Sequence, residues 1–414
     1  MIRLATVLFV VAAIIAGVFL YTPEHTAPSV PMVDSAHVPD AEFELVERTV
    51  QLENGSSTTL QLADDFDITV AADGFGTARF MAMSPDNRVF VVDMDDYNLS
   101  RQGVVAILDD FNSATHRFES RETYLENLRG ANSIAFYTDK EGQTWLYIAL
   151  TEHLIRYPYK AGDNEPSVKP EIIAAFPNSQ SLNADGVVWH VSRTILFVED
   201  TLYVSVGSGC NLCIQEEGEK RAMILAMNPD GTESRVYADG VKNAVGMAWA
   251  EGALYATENG VDHLGDEAPN DVMYKIEEGK HYGWPYCFEL NGVKKSETSE
   301  RVQPLPMGCD TAGKSFVTFD AHTGPLGVTY FVNAHPVLQG YLFVAQQGSW
   351  EPRIGKGYQV LRVGLDGTQE VFLTGFIKDG ERVGRPVHVM QYDENSFLLT
   401  EDFGSRMYHV YARE

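Results

Sequence analysis

Thr201-Leu-Tyr-Val-Ser205 is a short run of apolar and β-branched residues closed by a small hydroxyl. Its reading decides the fold because it recurs. Arg88-Val-Phe-Val-Val-Asp93, Trp145-Leu-Tyr-Ile-Ala149, Ala253-Leu-Tyr-Ala-Thr257, Tyr341-Leu-Phe-Val-Ala345 and Ser396-Phe-Leu-Leu-Thr400 repeat the pattern, making six copies. Each is followed by a second strand-like run: Gly103 to Leu108, His153 to Tyr157, Ala222 to Ala226, Asp271 to Lys275, Tyr358 to Arg362 and Arg406 to Val410. Most copies lie about 50 to 57 residues apart, the length of a four-stranded propeller blade. The pattern predicts an all-β fold, a six-bladed β-propeller of four-stranded antiparallel blades over residues 41–414.

The gap between the fourth and fifth copies is longer, which places an insertion at about 282–323. Cys287 and Cys309 bracket a polar loop within it, and a disulfide there would contribute about 3 kcal/mol. Cys210 and Cys213 form a Cys-x-x-Cys that reads either as a disulfide or as half of a metal site. Residues 43–62 precede the first complete blade and are expected to supply the strand that closes the ring with the C-terminal copy. Turn dipeptides such as Pro85-Asp86 and Asp366-Gly367 punctuate the strands, and no amphipathic helix competes.

Lys and Arg number 31 against 58 Asp and Glu, a formal charge of −27 that repels phosphate backbones and argues against nucleic acid as a partner. An apolar run at residues 4–21 follows Arg3 and reads as a signal peptide or a membrane anchor, with residues 22–40 as linker. The expected address is periplasmic or extracellular, with a membrane tether through 4–21 as one form of it. Cysteine pairing suits that compartment.

A propeller gathers loops from every blade at one mouth of its channel, and chemistry is sought there. At those loops the sequence resembles the pyrroloquinoline quinone (PQQ) dependent sugar dehydrogenases, the soluble glucose, aldose and sorbosone enzymes. The resemblance rests on Ala78 to Asp86, His190 to Phe197, Val241 to Trp249, Glu258 to Asp266, Tyr282 to Tyr286, Ala321 to Gly327, Gly348 to Trp350 and Gly384 to Val387. It implies PQQ and calcium as cofactors, a small-molecule sugar as substrate and an electron acceptor that the sequence does not name.

The resemblance also implies roles, residue by residue. His190 is the candidate catalytic base, an imidazole suited to proton abstraction near neutral pH. Lys242, Asn243 and Arg385 fall on cofactor-binding positions, and Arg129, His322, Trp350 and Lys356 lie in loops able to reach the same mouth. The family's usual arginine before the asparagine is Lys242 here, and Ser208 stands where the glucose-oxidising branch carries an acidic residue. The calcium loop maps to Gly260 and Val261 through main-chain oxygens, with Asp262 and Asp266 as carboxylates beside it. Tyr282 and Trp284 join Trp350 as flat surfaces available to a planar ring, with packing of the blade as the alternative reading of Trp284. Two rival readings of the same fold are a propeller that binds carbohydrate or protein without cofactor, and a calcium-dependent lactonase-like hydrolase.

Overall fold

The computed structural model describes residues 41–413 apart from 53, 96–100, 178–188 and 215–219. The expected signal or anchor at 1–21 and linker at 22–40 lie outside the described residues. Of the eight sheets among the described residues, six are blades that follow one another along the chain, the four strands of each blade pairing antiparallel. In the first blade, for example, the strands are Ala78–Met83, Val89–Asp93, Gly103–Asn112 and Arg117–Leu128, paired in that order. The recurring motif is the second strand of every blade, and the run after it is the third. No α-helix occurs among the described residues; only two 3-10 turns, Glu300–Val302 and Pro352–Ile354, interrupt the strands and loops.

The motif is apolar almost throughout because both faces of a blade are covered. Side chains alternate across a strand. Leu202 and Val204 therefore pack with Tyr147, Ala149 and Leu154 of the preceding blade, while Tyr203 packs with Met247 and Leu254 of the following one. Each of the six blade interfaces holds one such cluster. Phe80, Val245, Leu326 and Val387, from four of the innermost strands, form a further cluster of their own.

Ring closure differs from the expectation. The hairpin Leu45–Gln51 and Ser57–Ala63 does not join the last blade; it extends the outer edge of the fifth, through Gln61 opposite Thr374 and Leu62 opposite Leu373. The closing strand is the next one, Phe66–Ala72, which pairs with the C-terminal Arg406–Ala412. An N-terminal strand thus completes, as its outer strand, a sheet built from C-terminal ones.

The insertion also has different limits. Ser315–Thr318, inside the expected 282–323, is the fourth blade's own outer strand, paired with Val272–Ile276. The excursion between them first runs parallel to the outer strand of the third blade at Lys280–His281, then forms the hairpin Cys287–Leu290 and Val293–Ser296. Cys287 and Cys309 are disulfide-bonded across it. Tyr282 and Trp284 are buried in this packing, with the Tyr282 hydroxyl donating to Lys275 O at 2.9 Å and Trp284 Nε1 to Asn211 O at 3.1 Å. They are structural, not the exposed flat surfaces expected of them.

Close approach of the inner strands sets a steric limit at Gly246, where a Cβ would lie 2.0 Å from Leu326 O in the next blade. Gly246→Ala is expected to cost about 3 kcal/mol through overpacking. Gly252→Ala, at a left-handed turn with open space around it, is expected to cost about 1 kcal/mol. Urea unfolding of the two variants checks the difference, and equal losses would show that axial packing is not limiting.

Candidate functional site

Strand direction alone assigns the mouth. In antiparallel blades, the loop from second to third strand and the loop from the outer strand to the next blade open at the same end. His190, Lys242, His322, Arg385 and Arg129 lie in loops of the latter kind; Ser208, the Asn259–Asp266 stretch, Trp350 and Lys356 lie in the former. Every candidate therefore belongs to one end of the ring, and contacts sort them into groups.

The first group surrounds His190, whose backbone is left-handed at φ 45°. Its Nδ1 lies 2.8 Å from Ser208 Oγ and 3.1 Å from Ser208 O, and Ser208 Oγ donates its own proton to Cys210 O at 2.7 Å. A carbonyl can only accept, and the hydroxyl proton is already committed, so Nδ1 carries the imidazole proton and Nε2 the lone pair. Gly207 is what lets the neighbours meet: a Cβ there would lie 2.6 Å from His190 Cβ and 2.5 Å from Asn243 Oδ1. Burial first, and then the charge of Lys242, hold the His190 pKa well below 6.5, so the ring is a neutral base.

Cys210 and Cys213, whose reading was open between disulfide and metal half-site, are disulfide-bonded with Cα atoms 6.1 Å apart. The bridge closes the turn whose Cys210 carbonyl fixes the Ser208 hydroxyl. The serine and a main-chain oxygen thus orient the histidine by hydrogen bonding without adding a carboxylate.

Lys242 heads the second group. It is buried, and its Nζ donates to Gly260 O at 2.6 Å, with Asn259 O at 3.5 Å. Burial lowers its pKa, and the carboxylates of Asp262, Glu258 and Asp271 oppose that shift. Glu258 is itself pushed up to about 7 by burial. Asp271 fastens the loop from below, accepting from the amides of Gly260 at 2.6 Å and Gly324 at 2.8 Å. Val261 is buried against Leu212, Trp284 and Val302. His322 Nε2 donates to Gly265 O at 2.8 Å, and its Nδ1 lies 3.8 Å from Asp262. Among the described residues no three His, Cys, Asp or Glu side chains converge as around a metal held by side chains; the Gly260 loop presents the main-chain oxygens of Asn259 and Gly260.

Asp266 and Lys356 are committed elsewhere. Asp266 pairs with Arg353 at 2.5 Å, which lowers its pKa, and Lys356 pairs with Glu267 at 2.6 Å. These two bridges tie the mouth loops of the fourth and fifth blades together. Arg129 is likewise ion-paired, with Glu152 of its own blade.

The third group is a flat, cationic surface. Trp350 is 73% exposed, with the guanidinium of Arg385 5.3 Å and that of Arg382 5.8 Å from its ring centre. Arg385 is buried and donates to Gln347 Oε1 at 3.1 Å and Gly348 O at 3.0 Å. Gln347 in turn donates to Asp402, which pairs with Arg79 at 3.0 Å. Gln347 and Asp402 escaped the sequence reading, and Glu258, which opens the quoted Glu258 to Asp266 segment, was given no role. Gln347 adjoins the quoted Gly348 to Trp350 motif, whereas Asp402 and Glu258 sit at the ends of motif strands, where only the fold shows which way they turn.

The arrangement offers a neutral base with a defined lone pair, a buried ammonium and an exposed indole edged by guanidinium groups. These can remove a proton from a bound hydroxyl and hold a planar anion. The TrAA12-like family model matches residues 60–379. An uncharacterized protein of Borreliella burgdorferi is 31% identical over 259 residues, 59% of this chain and 64% of that one. An uncharacterized Synechocystis protein is 28% identical over 46% of this chain and 49% of its own length. The chain thus spans less than two thirds of the curated relatives it matches. Two solved structures share the fold: the Trichoderma reesei carbohydrate-active enzyme of family AA12, at TM-score 0.69 and 16% identity over 85% of this chain and 97% of that one, and the holo form of the pyranose dehydrogenase PQQ domain from Coprinopsis cinerea, at 0.67 and 15% over 85% and 97%.

Long-range nitrogen NMR of the His190 imidazole is expected to show the Nδ1–H tautomer, still neutral at about pH 6. The unfolded chain takes up that proton below 6.5 and the fold does not, so this group lowers stability as pH falls through 6.5. An imidazolium signal above that pH would contradict the assignment.

Proposed function

We propose that this chain, which belongs to the TrAA12-like family, is an oxidoreductase that oxidises an aldose or sugar aldehyde with PQQ as hydride acceptor. The observation that carries the reading is His190, held with its Nε2 lone pair available. Such a base suits removal of the proton from an anomeric or hydrate hydroxyl while the carbon gives up hydride. PQQ, when bound, supplies the two-electron acceptor, and the electrons pass on to a carrier.

The residues present fit a flat polyanion. Trp350 offers the ring face, and Arg385, fixed in orientation by Gln347 and Gly348, supplies charge beside it. Asn243, brought against His190 at Gly207, presents an amide next to the base. The negative surface implied by the formal charge of −27 makes these placed cations the means of attracting an anion to the mouth.

Calcium fits less well. Gly260 O, the main-chain oxygen expected to hold it, already accepts from the Lys242 ammonium, and the Asp266 carboxylate is paired with Arg353. We place the protein in the periplasm or outside the cell, exported or tethered by residues 4–21, a compartment suited to its two disulfides.

Reconstitution with PQQ and dye reduction over a panel of aldoses tests the reading. Turnover dependent on PQQ is expected, and His190→Gln is expected to lower kcat by about 10²–10⁴-fold with PQQ affinity retained. A variant with wild-type turnover would remove His190 from its role. Failure of PQQ to bind would turn the reading to a carbohydrate- or protein-binding propeller.

A further inference from the structure

The loop around Gly260 has the composition of a cation site. Two main-chain oxygens, of Asn259 and Gly260, face one point, and the carboxylates of Glu258, Asp262 and Asp271 act on that point electrostatically. Glu258 and Asp271 are buried, and Glu258 Oε2 and Asn259 Oδ1 are buried atoms with no hydrogen-bond partner. A cavity of about 20 Å³, room for one water, adjoins them and is lined by Lys242, Glu258, Gly260, Val261 and Tyr274 among others. The ionised form of a buried carboxylate with an orphan oxygen, as at Glu258, is favoured by a positive charge nearby.

That charge is present and covalently attached. The Lys242 Nζ lies 2.6 Å from Gly260 O, a hydrogen-bond distance, and the residue is 3% exposed. A lysine ammonium is a compact point charge on a flexible stem, closer in shape to a bare ion than the planar guanidinium is. Of its three protons one is spent on Gly260 O, and Asn259 O lies at 3.5 Å as a second acceptor. A divalent ion bound to Gly260 O would meet the ammonium at contact distance and suffer its repulsion.

We propose that the ammonium of Lys242 is a built-in substitute for a divalent cation at the Gly260 loop, so that this mouth takes its anionic cofactor without calcium. The cofactor half of this statement rests on the reading of the previous section; the calcium half does not. One covalent charge in place of a diffusible double charge makes the loop complete at any calcium concentration. It also keeps a cation beside Asn243, and so beside the base.

The test uses the purified full chain, freed of metal with EDTA. Calcium chloride alone is titrated into the wild type, Lys242→Met and Lys242→Arg by calorimetry, and thermal midpoints are read with and without millimolar calcium. PQQ is then titrated by quenching of tryptophan fluorescence in EDTA and in calcium. The wild type and Lys242→Arg are expected to show no calcium heat and no calcium-dependent midpoint, with PQQ affinity equal within about threefold in the two buffers. Lys242→Met, which bares the carbonyls and carboxylates, is expected to have a lowered midpoint that calcium partly restores.

Tight calcium binding by the wild type, or PQQ affinity raised tenfold or more by calcium (about 1.4 kcal/mol), overturns the proposal. So does a Lys242→Met protein that responds to calcium no more than the wild type. Should that variant fail to fold, the wild type and Lys242→Arg still decide, since a calcium response in either sinks the substitution. If PQQ binds in neither buffer, the proposed function fails while the calcium titrations and midpoints still judge the lysine.

Discussion

The constraint on which the rest depends is closure of the ring, and it is visible as a circuit of hydrogen bonds from blade to blade. Phe80 N donates to Asn132 O at 3.2 Å, Asn132 Nδ2 to Arg193 O at 3.1 Å, Thr194 Oγ1 to Val245 O at 2.6 Å and Thr257 Oγ1 to Leu326 O at 2.6 Å. Thr329 continues it to Val389 O, and Thr400 Oγ1 returns to Arg79 O at 2.7 Å. The small hydroxyl at the end of the recurring motif, in Thr257 and Thr400, is thereby explained: it reaches across to the next inner strand. The Arg79–Asp402 pair spans the seam between first and last blades, both side chains at most 3% exposed. Breaking one side of such a pair costs about 3–5 kcal/mol.

Closure matters to the site because the same network continues into the mouth. Arg79, Asp402, Gln347 and Arg385 form a chain of contacts from the inner strands to the surface beside Trp350. The guanidinium is therefore set by the ring itself, not by its own loop alone. Asp271 does similar work between the fourth and fifth blades, taking amide protons from Gly260 and Gly324. The exposed Asp266–Arg353 and Lys356–Glu267 pairs join the same two blades at the rim, where screening leaves each worth little. Orientation in this site comes from buried hydrogen bonds, with surface charge adding attraction at a distance.

Much of the fold was legible because a blade is covered on both faces and must be apolar on both. That is why the six copies could be counted before any contact was known. The closing strand was misplaced because 43–62 and Phe66–Ala72 are both strand-like and adjacent; which of them meets the C-terminal strand is a matter of register around the ring. Tyr282 and Trp284 looked like flat surfaces for a ligand, and burial inside the insertion makes them packing. Asp266 and Lys356 carried the right chemistry but meet opposite charges from a neighbouring blade.

The sequence by itself determined the number of blades and the loops that reach the mouth, since these follow from local periodicity; His190 as candidate base is what the family resemblance implied. Only the tertiary structure decided which charges remain for a ligand and which are spent on the protein. Lys242 and Gly260 are 18 residues apart, Arg353 and Asp266 are 87, and Arg79 and Asp402 are 323. Whether an ammonium finds a carbonyl, a carboxylate or solvent depends on the angle at which blades meet, and that angle is fixed by packing summed over the whole ring.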